Sequence, residues 1–148
     1  MEETSKLNIF IQYKQALLSV LRKYCETDFL SFVQKMAPTL VSDWKTGKHI
    51  KVIANKLKDL EAGKIKRLMV FLPPRSSKSV ICSKLFPAWY IGRNPEHEIL
   101  TVSHSDQLSS DFGRSVRDLI TTEEYQNIFT GVTLRTDVRA AGKWKTNH

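Results

Sequence analysis

Five consecutive apolar residues, Leu68-Met69-Val70-Phe71-Leu72, run straight into two prolines, after which the chain reads Arg75-Ser76-Ser77-Lys78-Ser79 and turns apolar again. An apolar run with no polar alternation suits a strand buried on both faces, as in a parallel sheet covered by helices. Pro73 and Pro74 cannot donate to a ladder, and Pro73 biases Leu72 towards extended backbone, so the run ends in a rigid turn. Lys78 and Ser79 then open a helix. A Lys-Ser pair at a strand-to-helix junction is the chemical half of a phosphate-binding loop: backbone N–H groups surround the phosphates, the ammonium reaches the outer ones, and the hydroxyl holds Mg²⁺. The match to G-x-x-x-x-G-K-[ST] is partial, because Leu72 and Ser77 stand where the two glycines would be. The second replacement matters more, since glycine there lets the backbone approach the phosphates without a Cβ. An ordinary strand-to-helix turn with a solvated lysine would carry the same bare pattern.

A second apolar run, Ile99-Leu100-Thr101-Val102, leads into Ser103-His104-Ser105-Asp106. If it is the next buried strand, the loop at its carboxyl end lies on the ligand-binding edge of the sheet, beside the first loop. His104 and Asp106 then face phosphate or nucleic acid; alternatively Ser105 or Asp106 simply caps the helix that follows.

The combination of PPRSSKS, Phe86-Pro87-Ala88-Trp89-Tyr90-Ile91-Gly92-Arg93-Asn94-Pro95, Ser103-His104-Ser105-Asp106 and Asp111-Phe112-Gly113-Arg114 resembles the large terminase subunit of tailed bacteriophages, over about Trp44 to Trp144. In that family the loop typically reads PPR-H-G-K-S, so Ser76 and Ser77 replace the His and the Gly. The resemblance implies an α/β, RecA-like P-loop NTPase with a parallel sheet flanked by helices. It implies a nucleotide-binding set of Pro74, Arg75, Ser76, Ser77, Lys78 and Ser79, with Lys78 on the phosphates of ATP, Ser79 on Mg²⁺ and Arg75 as a charge stabiliser near the γ-phosphate. Trp44 and His49 occupy the region that contributes to adenine recognition. Double-stranded DNA, the portal and the small terminase subunit are the implied partners, with oligomers only as part of the full motor and the host cytoplasm as the place of work. The domain reading is a helical segment over 1–43 followed by a partial ATPase domain over 44–148.

Hydrolysis needs an apolar strand ending in Asp for Mg²⁺, usually followed by a Glu base. Neither that run nor the acidic cluster of a two-metal nuclease is present. In the family, Trp144-Lys145-Thr146 leads shortly to a glycine-rich segment and then the acidic strand. The expectation is therefore the N-terminal part of such a subunit, incomplete as an ATPase. Two readings compete with it: a non-catalytic module that binds DNA or another packaging subunit, and an unrelated helicase-like NTPase, which the FPAWYIGRNP and SDFGR matches disfavour.

Length and composition bound the rest of the chain: one domain is expected. At 148 residues, 41% hydrophobic and 26% charged, it supports one core. A net charge of +8 suits polyanionic partners. Cys25 and Cys82 are too far apart for a C-x-x-C site and read as reduced, mostly buried thiols. No apolar run reaches the length of a membrane span, and the acidic N-terminus is unlike a signal peptide, so a soluble intracellular protein is expected. Residues 5–25 and then Phe29-Phe32-Val33-Met36, capped by Thr27-Asp28 and ending before Pro38, form a helical hairpin whose aromatic stripe is expected to face the core rather than a partner. Ile50, Ile53, Ala54, Leu57 and Leu60 mark a third helix ended by Gly63, with net charge +6 between Lys45 and Arg67 on a face that suits either solvent or DNA phosphates. Pro87 should kink or restart the helix after the loop, with Gly92 ending it. An amphipathic helix follows over 106–120, then a short one through Ile128 with capping-box spacing at Thr121–Glu124, a weak strand over 131–134 and a basic tail broken by glycine.

Overall fold

The computed structural model describes residues 2–140 and 143–147. The elements in order are α1 (Glu2–Thr27), α2 (Phe29–Leu40), α3 (Lys48–Glu61), a π-helix (Val80–Leu85) that passes directly into α4 (Phe86–Arg93), α5 (Asp106–Ile120), α6 (Glu123–Ile128), β1 (Leu134–Ala140) and β2 (Lys143–Thr146). Among the described residues the only sheet is the antiparallel pair β1–β2, registered Leu134 against Thr146 and Ala140 against Lys143. The glycine break expected in the tail, at Gly142, lies outside the described residues.

This overturns the parallel α/β sheet. Neither expected strand has a ladder partner among the described residues. The 68–72 run is extended and alternates, with Leu68, Val70 and Leu72 half-buried against the core and Met69 and Phe71 78% and 80% exposed. The 99–102 run is also irregular, and Leu100 and Val102 point to solvent. A strand buried on both faces needs a neighbour on each edge for its backbone and a layer on each face for its side chains. Here helices cover one face of the first run and nothing among the described residues pairs its edges, so the apolar sequence takes one-sided burial.

The core is instead helix on helix. Phe29, Phe32, Val33 and Met36 fall at i, i+3, i+4 and i+7 of α2, all fully buried. Phe29 stacks between Trp89 (5.2 Å between centroids) and the edge-on ring of Phe86 (5.4 Å), while Phe32 meets Tyr125 edge-to-face at 6.2 Å. The two polar tips in this cluster are satisfied: Trp89 Nε1 donates to the Cys25 carbonyl at 3.0 Å, and the Tyr125 hydroxyl donates to the Ala88 carbonyl at 2.9 Å. Burial pushes the Tyr125 phenol well above its usual range. α1 joins this body only through its C-terminal end, where Cys25 is buried; from Lys6 to Tyr24 every residue of the helix is exposed. The expected core-facing hairpin is thus met by α2 and not by α1.

Local signals account for most boundaries. Asp28 caps α2, its carboxylate accepting from the Ser31 amide and hydroxyl, both at 2.9 Å. α2 nevertheless continues through Pro38 to Leu40, and Thr39 Oγ1 donates back to the Met36 carbonyl at 2.6 Å. Gly63, at φ 70°, ends α3 in a Schellman turn: its amide bonds the Leu60 carbonyl, and that of Lys64 bonds Asp59. Ser105 caps α5 and Thr122 caps α6, so the capping-box reading falls one residue early. Gly92 does not end a turn but sits inside α4, where a Cβ would lie 2.5 Å from the Phe129 ring; the missing side chain is what lets that ring into the core.

Asp28 also holds Lys58 of α3, Nζ to Oδ1 at 3.0 Å. Burial alone would raise its carboxyl pKa; the hydrogen bonds from Lys58 and Ser31 outweigh that and lower it. A folded-state pKa below the unfolded value gives stability that is present above the ordinary carboxylate range and lost as pH falls through the folded value. Asp28→Ala is therefore expected to cost about 1 kcal/mol in urea unfolding at neutral pH. The gap to wild type should close as acid protonates the wild-type carboxylate, and a pH-independent gap would refute the ionised cap.

Candidate phosphate-binding loop

Residues 73–79 connect the extended 68–72 segment to the helix that Lys78 and Ser79 begin. Arg75 and Ser77 both adopt left-handed backbone, at φ 62° and 61°, and are the non-glycine positive-φ residues of the described chain. A bulky residue gains nothing intrinsic from that region, which costs roughly 1–2 kcal/mol for an L-amino acid. The loop is held in it from both ends. Ser76 Oγ donates to the Pro73 carbonyl at 2.6 Å, closing the turn, and the Ile81 amide bonds the Ser77 carbonyl at 3.1 Å, starting the helix. Alternation of left-handed and other backbone conformations at the mouth of a helix turns successive N–H groups to one side, the arrangement that makes a concave anion nest.

The charges around this nest are uncompensated. Arg75 and Lys78 are exposed and make no ion pair among the described residues. Ser79 is also exposed in the first turn. Pro74 stands at the solvent edge of the turn and offers no donor. Lys78 acts on Cys82 one turn later: burial raises the Cys82 thiol, and the Lys78 charge partly lowers it. Both cysteines are free thiols, Cys25 buried and Cys82 half-buried.

The helix that leaves the loop is a π-helix, in which the Phe86 amide reaches back to the Ile81 carbonyl. Its wide turn ends where Pro87, which has no N–H, enters α4 as the second residue. The expected kink is therefore realised as one turn of wider pitch. Proline was a legible signal for a break there; the paired left-handed residues had no such signal, because neither Arg nor Ser is a residue that favours them.

Arg75, Ser76, Ser77, Lys78 and Ser79 are thus brought together on one loop and helix start. Trp44 and His49 are not joined to them by any hydrogen bond among the described residues. Trp44 is half-buried against the core and donates to Thr46 Oγ1 at 3.1 Å, and His49 is exposed at the start of α3, its ring lying over Gly47. His104 and Asp106 are exposed, and Ser105 serves as the cap of α5, so that loop does the structural work anticipated for it. A cleft of about 910 Å³ lies elsewhere, bounded by Ile91, His97, Gly113 and Trp144, whose Nε1 donates to the Gly113 carbonyl. Among the described residues no group of three or more His, Cys, Asp or Glu side chains is placed to hold a metal ion, and no helix is long and apolar enough to cross a membrane. No family model, curated protein or solved structure matches the chain.

Relieving the left-handed serine is expected to matter for stability. Ser77→Gly removes about 1–2 kcal/mol of backbone cost and returns about half of it through the flexibility of the unfolded chain, a net gain below about 1 kcal/mol. Ser77→Val, β-branched at the same φ, should destabilise the protein. Denaturant unfolding of both variants checks the ordering, and a more stable Ser77→Val would show that the loop does not hold this backbone.

Proposed function

We propose that the 73–79 loop binds the phosphates of ATP and that the chain works as the nucleotide-binding portion of a viral DNA-packaging motor, in the host cytoplasm. The observation that carries the reading is the pair of left-handed residues at a helix start, flanked by the unpaired cations Arg75 and Lys78. Backbone donors and two guanidinium or ammonium charges fit a polyphosphate. The Ser79 hydroxyl fits one ligand position of a phosphate-bound Mg²⁺, which would otherwise be held by phosphate oxygens and water. The terminase-like residues PPRSSKS, FPAWYIGRNP and SDFGR give the reading its biological setting; a parallel sheet is no part of it.

The expected behaviour is binding without turnover. The sequence has no apolar strand ending in Asp and Glu to activate water, so Mg²⁺-ATP should bind and remain intact, and Lys78→Ala should abolish binding by calorimetry. Steady-state hydrolysis that disappears in Lys78→Ala would refute the incomplete-enzyme reading, and equal ATP affinity of wild type and Lys78→Ala would refute the site. Within that site Ser77→Gly should tighten binding about fivefold if its Cβ crowds the phosphates, a local cost of about 1 kcal/mol.

The second component is DNA. Part of the +6 segment is already spent: Lys58 pairs with Asp28, and Lys56 and Lys64 pair with Asp59, at 3.0, 3.9 and 3.4 Å. Of the remaining cations Lys45, Lys48, Lys51, Lys66 and Arg67, the reading assigns the contact to Lys48 and Lys51, which are exposed together on the first turn of α3. Binding of a random duplex, followed by fluorescence anisotropy, should be sequence-independent and weaken roughly tenfold over a fourfold rise in salt. Lys48→Glu/Lys51→Glu should remove it. A flat salt response, or a double variant that binds as well as wild type, would take α3 out of the DNA path.

A further inference from the structure

The exposed arm of α1 presents an apolar face with no cover among the described residues. Every residue from Lys6 to Tyr24 is exposed, a stretch of roughly 28 Å at 1.5 Å per residue that meets the body near its end, where Arg22 donates to Thr130 Oγ1 at 3.1 Å. Leu7, Phe10, Leu17, Leu21 and Tyr24, all 51–65% exposed, fall with Lys14 at alternating three- and four-residue spacing. Ile11 and Leu18 flank them, and the same row ends at Cys25, which is buried against the body. At 100° per residue the apolar side chains occupy about 200° of the circumference, and Asn8, Gln12, Gln15, Ser19 and Lys23 fill the rest. A lone helix of this length gains nothing by holding such a face in water.

We infer that this arm pairs with α1 of a second copy of the chain, in antiparallel orientation. The spacing is a coiled-coil seam with Leu7, Lys14 and Leu21 at a and Phe10, Leu17 and Tyr24 at d. Lys14 sets the orientation. Parallel pairing would stack Lys14 on the partner's Lys14 in a single layer, burying like charges face to face. Antiparallel pairing sets Leu7 against the partner's Tyr24, Phe10 against the partner's Leu21, and Lys14 against the partner's Leu17, leaving each ammonium free to reach water past an apolar stem. The flanking Ile11, Leu18, Tyr13 and Val20 widen the seam on both sides. With seven side chains a helix each withdrawing on the order of 80 Å², the two arms cover on the order of 1,100 Å², enough for a specific interface. The inference is independent of the nucleotide site, which no residue of the arm touches.

The full chain is tested by sedimentation equilibrium and by cross-linking. Wild type should be a dimer at micromolar concentration. Leu17→Glu/Leu21→Glu should be a folded monomer whose unfolding midpoint does not depend on protein concentration, whereas that of wild type should rise with concentration, and Lys14→Leu should tighten association at least about tenfold. Under oxidation, Phe10→Cys mixed with Leu21→Cys should cross-link, whereas Phe10→Cys alone should not. A monomeric wild type, a double glutamate variant that still dimerises, or self-cross-linking of Phe10→Cys overturns the proposal. So does a monomer whose arm instead binds anionic phospholipid vesicles.

Discussion

The fold hangs on one buried junction. Trp89 of α4 places its ring against Phe29 and its indole N–H on the Cys25 carbonyl, at the point where α1 hands over to α2. That bond does two things at once. It satisfies a carbonyl that the end of α1 would otherwise leave open, and it pins the chain reversal to the helix that follows the loop. Arg93, one turn on, adds its guanidinium to the Glu26 carbonyl at 2.8 Å and to Glu61 at 2.9 Å, and lies 5.0 Å over the Trp89 ring. Three helices are thereby tied at one corner through donors that point only one way. Tyr125 repeats the device from α6, its ring against Phe32 and its hydroxyl on α4. The 73–79 loop is positioned by this corner, because the π-helix and α4 form one continuous rod from Ser79 to Trp89.

Helix periodicity and caps were legible because they are local. The i, i+3, i+4 pattern of α2, the apolar face of α3 and the cap residues Asp28 and Ser105 each report on contacts within one or two turns. The sheet failed for the opposite reason. Leu68–Leu72 and Ile99–Val102 have the composition of buried strands, but whether such a run becomes a strand depends on a partner edge elsewhere, and no such edge exists among the described residues. Tertiary context then decided the outcome: a core closed by aromatic residues from α2, α4 and α6 left the two runs as irregular segments. α1 shows the same limit from the other side, since amphipathic periodicity gives the face of a helix but not what covers it.

Of the candidate site, Lys78 and Ser79 could be placed at a helix start from sequence, while the backbone that makes the loop concave could not. Glycine would have announced a positive φ; Arg75 and Ser77 do not. What holds them is a covalent and hydrogen-bonded frame: two prolines that fix φ before the turn, the Ser76 hydroxyl on the Pro73 carbonyl, and the first helical bond from Ile81 to Ser77. Strain of this kind is kept only where the surroundings over-determine it, and it concentrates where a chain binds a ligand.

The two sides of that loop differ in how firmly they are held, and the difference bears on how binding could be felt elsewhere. Downstream, Ile81 and Leu85 are fully buried and the π-helix is continuous with the Trp89 corner. Upstream, the 68–72 segment rests on the core through Leu68, Val70 and Leu72 alone, with Met69 and Phe71 in water and no ladder along its edges. An anion that gathers the amides of residues 75–79 can draw on both sides, but only the upstream one is free to move at low cost.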